Sequence, residues 1–192
     1  MLKIPILCVT NANNFEDFVN SWRKFYNRSN DYKYAPIESE SPLTPESLLS
    51  IFEWKNGMPL SKLKLNSIAN LGLKIELINQ LRSSFDVVTF EREFGHMSFV
   101  WRKFLMHAIQ PSLFPIYDQH SHRAVDFLLS EQNPRESEAF YVNKFVTYIE
   151  AWKGNQNYKH VDEALFEFGK FIRSPQARNL LVLNIATKSH LS

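Results

Sequence analysis

Phe114-Pro115-Ile116-Tyr117-Asp118-Gln119-His120-Ser121-His122-Arg123-Ala124 reads as the entry into a helix. Pro115 restricts the backbone ahead of the turn, and Asp118 is a residue type that caps a helix by accepting hydrogen bonds from the free amides of its first turn. Beyond it, Ala124, Val125, Phe127 and Leu128 recur at helical spacing with His120 on the same face, while His122 and Asp126 fall at i, i+4 on the outer face. Working outward, the same punctuation returns along the chain. A strongly apolar helix over about 97–109 is stopped by Pro111 and Pro115, and a short helix or turn covers about 85–94. Upstream, Phe15, Phe18, Val19 and Trp22 mark a first amphipathic helix, and residues 27–42 read as a loop. Thr44-Pro45 starts a helix with Leu48, Leu49, Ile51 and Phe52 on its inner face, which Asn56-Gly57 ends. Residues 61–81 follow, with a break at Gly72.

Downstream, Asn133-Pro134-Arg135-Glu136 is a capping signature for a helix ending at Lys153-Gly154. A further helix is expected over about 158–172, and Ser174-Pro175 opens the last, which runs to about residue 186. Val87-Val88-Thr89-Phe90 is the one stretch that competes as a strand, and a lone strand has nothing to pair with. The expected fold is all-α. Residues 1–192 make a single domain in two helical lobes, one built from about 44–110 and the other from the remainder, sharing a cleft near 95–123.

Composition narrows the function. The 192 residues carry 22 Lys+Arg against 20 Asp+Glu, a net charge of +2. An apolar share of 44% with 16 Phe excludes a disordered chain and a highly charged nucleic-acid-binding tail. Five glycines, none in a phosphate-loop pattern, argue against a nucleotide cofactor. The single cysteine, Cys8, forms no intramolecular disulfide, cysteine zinc site or iron–sulfur cluster and suits a reducing compartment. No run is apolar enough for a membrane span, and MLKIPILCVT carries no signal-peptide pattern, so a soluble, cytoplasmic protein without metal or cofactor is expected.

The segment 114–124 resembles the motif that follows the hairpin in the helix-hairpin-helix DNA glycosylase superfamily, roughly P-x-V-D-T-H-V-x-R-V at a helix start. Pro115, Asp118, His120 and Arg123 stand at matching positions. The resemblance implies an all-α fold of two lobes around an active-site cleft, with Asp118 as the catalytic carboxylate. The family's hairpin L-P-G-V-G-x-K meets Phe94-Gly95-His96-Met97-Ser98-Phe99-Val100, so His96 and Ser98 replace both hairpin glycines and Val100 replaces the lysine of members that cut the backbone. Without that lysine no Schiff-base step follows, and the implied activity is monofunctional base removal. His96, Ser98 and the amides of the helix start near Met97 are left to hold a phosphate.

The chemistry suits these residue types. Breaking an N-glycosidic bond builds positive charge on the sugar, which a fixed carboxylate stabilises more in the transition state than in the ground state. The base must be flipped into a pocket, for which Tyr117, Trp101, Trp54 and His120 are candidate walls. Arg102, Lys103 and Arg123 are candidate DNA contacts, with Lys170, Arg173, Arg178 and Lys188 further on. Each residue has a plainer role as well. Asp118 also reads purely as an N-cap, His120 as a core histidine, Arg123 as an anchor for a helix end, and the basic C-terminal stretch as a solvated face. Two other functions therefore stand beside the glycosylase: a non-catalytic helical module binding DNA or protein, and an N-glycosidase acting on RNA or nucleosides.

Overall fold

The computed structural model describes residue 12 and residues 14–130, 136–179 and 181. Among these residues every regular element is helical, as the periodicity predicts, and residues 87–90 belong to a helix. Capping chemistry sets most boundaries. Asn14 accepts from the Asp17 amide to open α1 (Phe15–Trp22). Thr44 and Ser47 exchange hydrogen bonds in a capping box at the head of α3 (Pro45–Asn56), which Gly57 ends in the left-handed region at φ 66°. Ser61 caps α4 (Lys62–Gly72), and α5 (Ile75–Ser83) follows after the break expected at Gly72. Asp86 caps α6 (Val87–Phe94) through the Val88 and Thr89 amides. Then come α7 (Phe99–Ile109) and α8 (Gln119–Leu129).

Three expectations are corrected. The 27–42 stretch is no plain loop: it winds into a 3₁₀ segment over Arg28–Lys33, capped by Asn27, and the short α2 (Ala35–Glu38), which buries Ile37. The helix read as starting near Asn133 starts at Glu138, because Ser137 supplies the cap to Phe140; Asn133, Pro134 and Arg135 lie outside the described residues. That helix is also not uniform, since α9 (Glu138–Phe140) passes through a π-turn at Tyr141–Phe145 into α10 (Val146–Trp152). Thirdly, His122 is buried and its Nδ1 lies 2.9 Å from the Tyr117 hydroxyl, so the inner face of α8 is Ser121, His122, Ala124 and Val125. Among the described residues the last long helix is α11 (Tyr158–Phe171), capped by Asn157, and residues 175–179 are helical beyond Ser174.

The buried side chains fall into two clusters. One joins Tyr34 and Ile37 to the inner faces of α3–α7 and ends at Ile116; α7 is its axis, with every residue from Lys103 to Ile109 buried. Within it His107 is neutral: burial holds its pKa down to about 4. Its Nδ1 donates at 2.7 Å to the Phe114 carbonyl, which can only accept, so Nε2 accepts a hydrogen bond from the Tyr34 hydroxyl at 2.6 Å. The second cluster begins at Tyr117, takes in α8 to α11, and recovers α1 from the start of the chain through Phe18 and Trp22 against Phe168. The chain thus leaves one core near residue 26 and returns to it at residue 117.

Candidate active site

Asp118 stands where the chain re-enters the second core. Its backbone is extended (φ −157°), and its Oδ1 accepts from the amides of His120 at 2.8 Å and Ser121 at 3.0 Å, while Ser121 Oγ accepts from the Asp118 amide. Oδ2 pairs with Lys55 Nζ at 3.0 Å. Lys55 comes from the last turn of α3, so this bond ties one core cluster to the other; the two side chains are 17% and 7% exposed. Burial pushes the Asp118 carboxyl up, but the Lys55 ammonium, the Ser121 amide and His120 outweigh it and hold the pKa below the ordinary value. Asp118 is therefore ionised at neutral pH and fixed on three sides.

A cavity of about 420 Å³ opens beside it, within the size range of small-molecule sites. Its walls come from four places: Tyr26 and Asn30 before α2, Trp54 to Met58 at the end of α3, Asp118 to His120 at the head of α8, and Asp162, Phe166 and Lys170 on α11. Three rings, Tyr26, Trp54 and Phe166, give flat apolar surface at which a planar heterocycle can stack. Behind Tyr26 and Trp54 lies a charged scaffold. Lys159 bridges Asp31 at 2.7 Å and Glu163 at 2.8 Å, Arg28 joins Glu163 at 2.6 Å, and Trp54 Nε1 donates to Asp31.

Asp162 faces the same cavity in a different condition. It is 5% exposed, and its Oδ1 is buried with no hydrogen-bond partner. Burial pushes its pKa up to about 8; Lys55 and Lys159 oppose the rise, Asp118 and Glu163 add to it. At neutral pH it is a carboxylic acid. Asp118 and Asp162 thus bring one ionised and one protonated carboxyl to the cavity, the separation that acid–base chemistry uses, while Glu167, which also lines it, pairs with Lys170 at 3.0 Å.

The close seating of α11 on α8 depends on Gly169. A Cβ there would stand 2.0 Å from the His120 carbonyl oxygen, so a side chain at 169 would push the head of α8, and Asp118 with it, away from α11. Arg123 fastens the same joint, donating to the Gly169 carbonyl at 3.0 Å and from Nη1 to His120 Nδ1 at 3.2 Å. Because guanidinium only donates, His120 Nδ1 is an acceptor and its proton sits on Nε2.

No known protein family, curated protein or solved structure matches the chain. The site has to be read from its own geometry.

Of the residues singled out in the sequence, Asp118, His120, Trp54 and Lys170 line the cavity. Arg123 sits beneath it, in contact with His120. Tyr117 does not: it is fully buried in the second core against Phe99, Tyr141 and Phe145, because neighbouring side chains on extended backbone point to opposite sides. Trp101, His96 and Ser98 line a second cavity of about 370 Å³, with Lys64 over the Trp101 ring. Arg102 and Lys103 are occupied internally. Arg102 pairs with Glu91 and Glu138, and Lys103, only 4% exposed, reaches the same two carboxylates.

The cavity residues that the sequence reading passed over are Lys55, Asp162, Tyr26 and Phe166. Two of them carried a signal. Lys55 is i+7 from Leu48 on the stripe Leu48, Ile51, Phe52, and Asp162 sits on the stripe Tyr158, Val161, Leu165. A charge at a core-facing helical position is uncommon unless it has work to do there. Among the described residues, no group of three His, Cys, Asp or Glu side chains is placed to hold a metal ion, and no helix is long and apolar enough to cross a membrane.

Proposed function

We propose that the chain is a monofunctional DNA glycosylase-like hydrolase, in which two helical lobes enclose the cavity and Asp118 is the catalytic carboxylate. The observation that carries this reading is the ionised, rigidly held Asp118 at the rim of a base-sized cavity walled by Tyr26, Trp54 and Phe166. In this reading a flipped base stacks among the three rings and its sugar lies at Asp118. The carboxylate stabilises the positive charge that develops as the N-glycosidic bond opens, and it accepts a proton from the water that attacks the anomeric carbon. Membership of the helix-hairpin-helix glycosylase superfamily is part of the proposal and rests on the segment 115–123.

The duplex is held by phosphate contacts at the α8–α11 end. Arg173 and Arg178 are exposed there, and together with Lys170 they impose positive potential on His120 and Arg123, whose pKa values burial, first, and these cations hold down. Arg102 and Lys103, being tied to Glu91 and Glu138, are not part of this face.

A second reading, a binding module without catalysis, draws on one observation: both oxygens of Asp118 are engaged, Oδ1 by two amides and Oδ2 by Lys55. One experiment separates the two. The protein is incubated with DNA carrying a panel of altered bases, and alkali reveals abasic sites. The glycosylase reading expects cuts that Asp118→Asn reduces by about 10³-fold; equal cutting by the variant overturns it. Salt-sensitive DNA binding with no base released from any substrate favours the module.

A further inference from the structure

Resting on the glycosylase reading, we propose that Asp162 is the general acid of the reaction, the group that gives its proton to the departing base while Asp118 serves the sugar and the water. Asp162, in the second turn of α11, lines the cavity that Asp118 enters from the head of α8, so two carboxyls on different helices face one space; the third carboxyl there, Glu167, is tied to Lys170 at 3.0 Å. A carboxyl nine-tenths buried with an unpartnered oxygen is costly for a fold to keep, and the scaffold around it supplies no bond to relieve it. Asp162 lines the cavity, so a ligand entering it meets this carboxyl. A nucleobase carries along its edge the nitrogen and oxygen acceptors that a protonated carboxyl can bond to.

The charged neighbours support the assignment. Lys55 from α3 pairs with Asp118 and leaves Asp162 without a direct bond; Lys159 is taken by Asp31 and Glu163; Asp118 and Glu163 both disfavour a second negative charge. Tyr26 and Tyr34, from the segment before α3, stay protonated, pushed up first by burial and then by Asp162 and Asp31. His120, at the head of α8, is held below its ordinary value by burial. Asp162 keeps its proton up to about pH 8 in this company. The step balances. As the C1′–N bond breaks, its electron pair goes to the base nitrogen, and the base takes the Asp162 proton at that nitrogen or at a conjugated ring atom. Water adds to C1′ and passes a proton to Asp118. Asp162 is then the carboxylate and Asp118 the acid, and exchange with solvent restores both.

The test compares leaving groups. A neutral base such as hypoxanthine needs a proton to leave, whereas a cationic one such as 7-methylguanine departs neutral without it. Duplexes carrying each, with the rest of a panel of neutral and cationic altered bases, are given to wild type, Asp162→Asn, Asp162→Glu and Asp118→Asn, and kcat/KM is measured from pH 5 to 9. The expected result is that Asp162→Asn slows release of neutral bases by about 100-fold or more and of cationic bases by less than about 5-fold. Asp162→Glu, which keeps the acid, recovers part of the rate on neutral bases, and Asp118→Asn slows both classes. Wild type on a neutral base loses rate above about pH 8, a limb that Asp162→Asn lacks. Equal losses for the two classes in Asp162→Asn, no loss in either, or release of cationic bases alone overturns the role of Asp162 and leaves the glycosylase standing. Failure of wild type to release any base removes the glycosylase reading and the general acid with it.

Discussion

The head of α8 and the second turn of α11 bring one aspartate each to a single cavity, and the two carboxyls end in opposite states. At the head of α8 the backbone itself solves the problem of a partly buried charge: free amides of the first turn point at Asp118, and a lysine from the other core completes the shell. In the second turn of α11 the amides near Asp162 are already taken, His160 by the Asn157 side chain and Val161 by the Asn157 carbonyl, so Asp162 has nothing local to accept from and takes a proton instead. Burial acts on both carboxyls, and the Lys55 ammonium with the helix-start amides is what separates their acidities before any ligand is considered. The lesson is that a helix start stabilises a carboxylate and a helix interior, if buried, stabilises the acid.

The largest effect is expected where the ionised partner is neutralised. Asp118→Asn keeps the cap, since an asparagine oxygen accepts from the same amides, but it abandons the charge and strands Lys55. Base release should fall by about 10³-fold and stability by roughly 3 kcal/mol, the cost of leaving one member of a buried pair alone. Adding Lys55→Met should restore most of the stability and none of the activity in urea melts and cleavage assays run side by side. If the double variant is no more stable than the single one, the Lys55 pair does not bridge the two cores.

Gly169→Ala attacks the joint that holds the two carboxyls at one cavity. With the new Cβ 2.0 Å from a carbonyl oxygen, backbone has to move, and a loss of at least about 3 kcal/mol is expected together with loss of activity. Wild-type stability in this variant would mean that α8 and α11 are not seated as described.

A smaller change of opposite sign is expected at Asp162. Its folded pKa of about 8 lies above the ordinary 3.8, so between those values the unfolded chain has released a proton that the folded chain retains. Stability present below pH 3.8 is lost as pH rises, and the loss is complete above about 8. Asp162→Asn removes this penalty. It should raise Tm by roughly 5–10 °C at pH 8 and hardly at all at pH 4, read from thermal melts at the two pH values. An unchanged Tm at pH 8 would put Asp162 in the same ionised state as Asp118 and erase the contrast.

The contrast also explains what could be read from the sequence. The helices were legible because caps and stripes are local: Thr44-Pro45, Asn56-Gly57 and the break at Gly72 fall where expected. Asp118 was legible for the same reason, since a cap and its motif are written in consecutive residues. Asp162 and Lys55 acquire their meaning only when α3, α8 and α11 meet, and their trace in the sequence is a charge on an apolar stripe. The same limit misplaced Tyr117, Arg102 and Lys103. Whether a residue beside the motif faces the cavity or the core, and whether an arginine is free or held by Glu138, is decided by helices distant along the chain.

The smallest expected effect lies at the rim. At the cavity itself Asp118 is offset by Lys55 and Glu167 by Lys170, which leaves no surplus positive charge there, so a duplex drawn to this site needs further cations at its mouth. The turn after α11 and the helical residues beyond it carry them: Arg173 and Arg178, the latter braced by donation to the Ile172 carbonyl at 2.7 Å, while Lys170 is held by Glu167 at 3.0 Å. Arg123 cannot do this work because its guanidinium is already committed to Gly169 and His120. Arg173→Gln and Arg178→Gln should therefore weaken DNA binding for every sequence alike, and each should reduce the slope of log affinity against log salt by about 1. Arg102→Gln, which removes a cation already paired with Glu91 and Glu138, should leave the slope unchanged while lowering stability. The reverse pattern would move the DNA face from the α8–α11 end to the α7 side, beside the cavity that holds His96 and Trp101, and would leave the two aspartates without a duplex to act on.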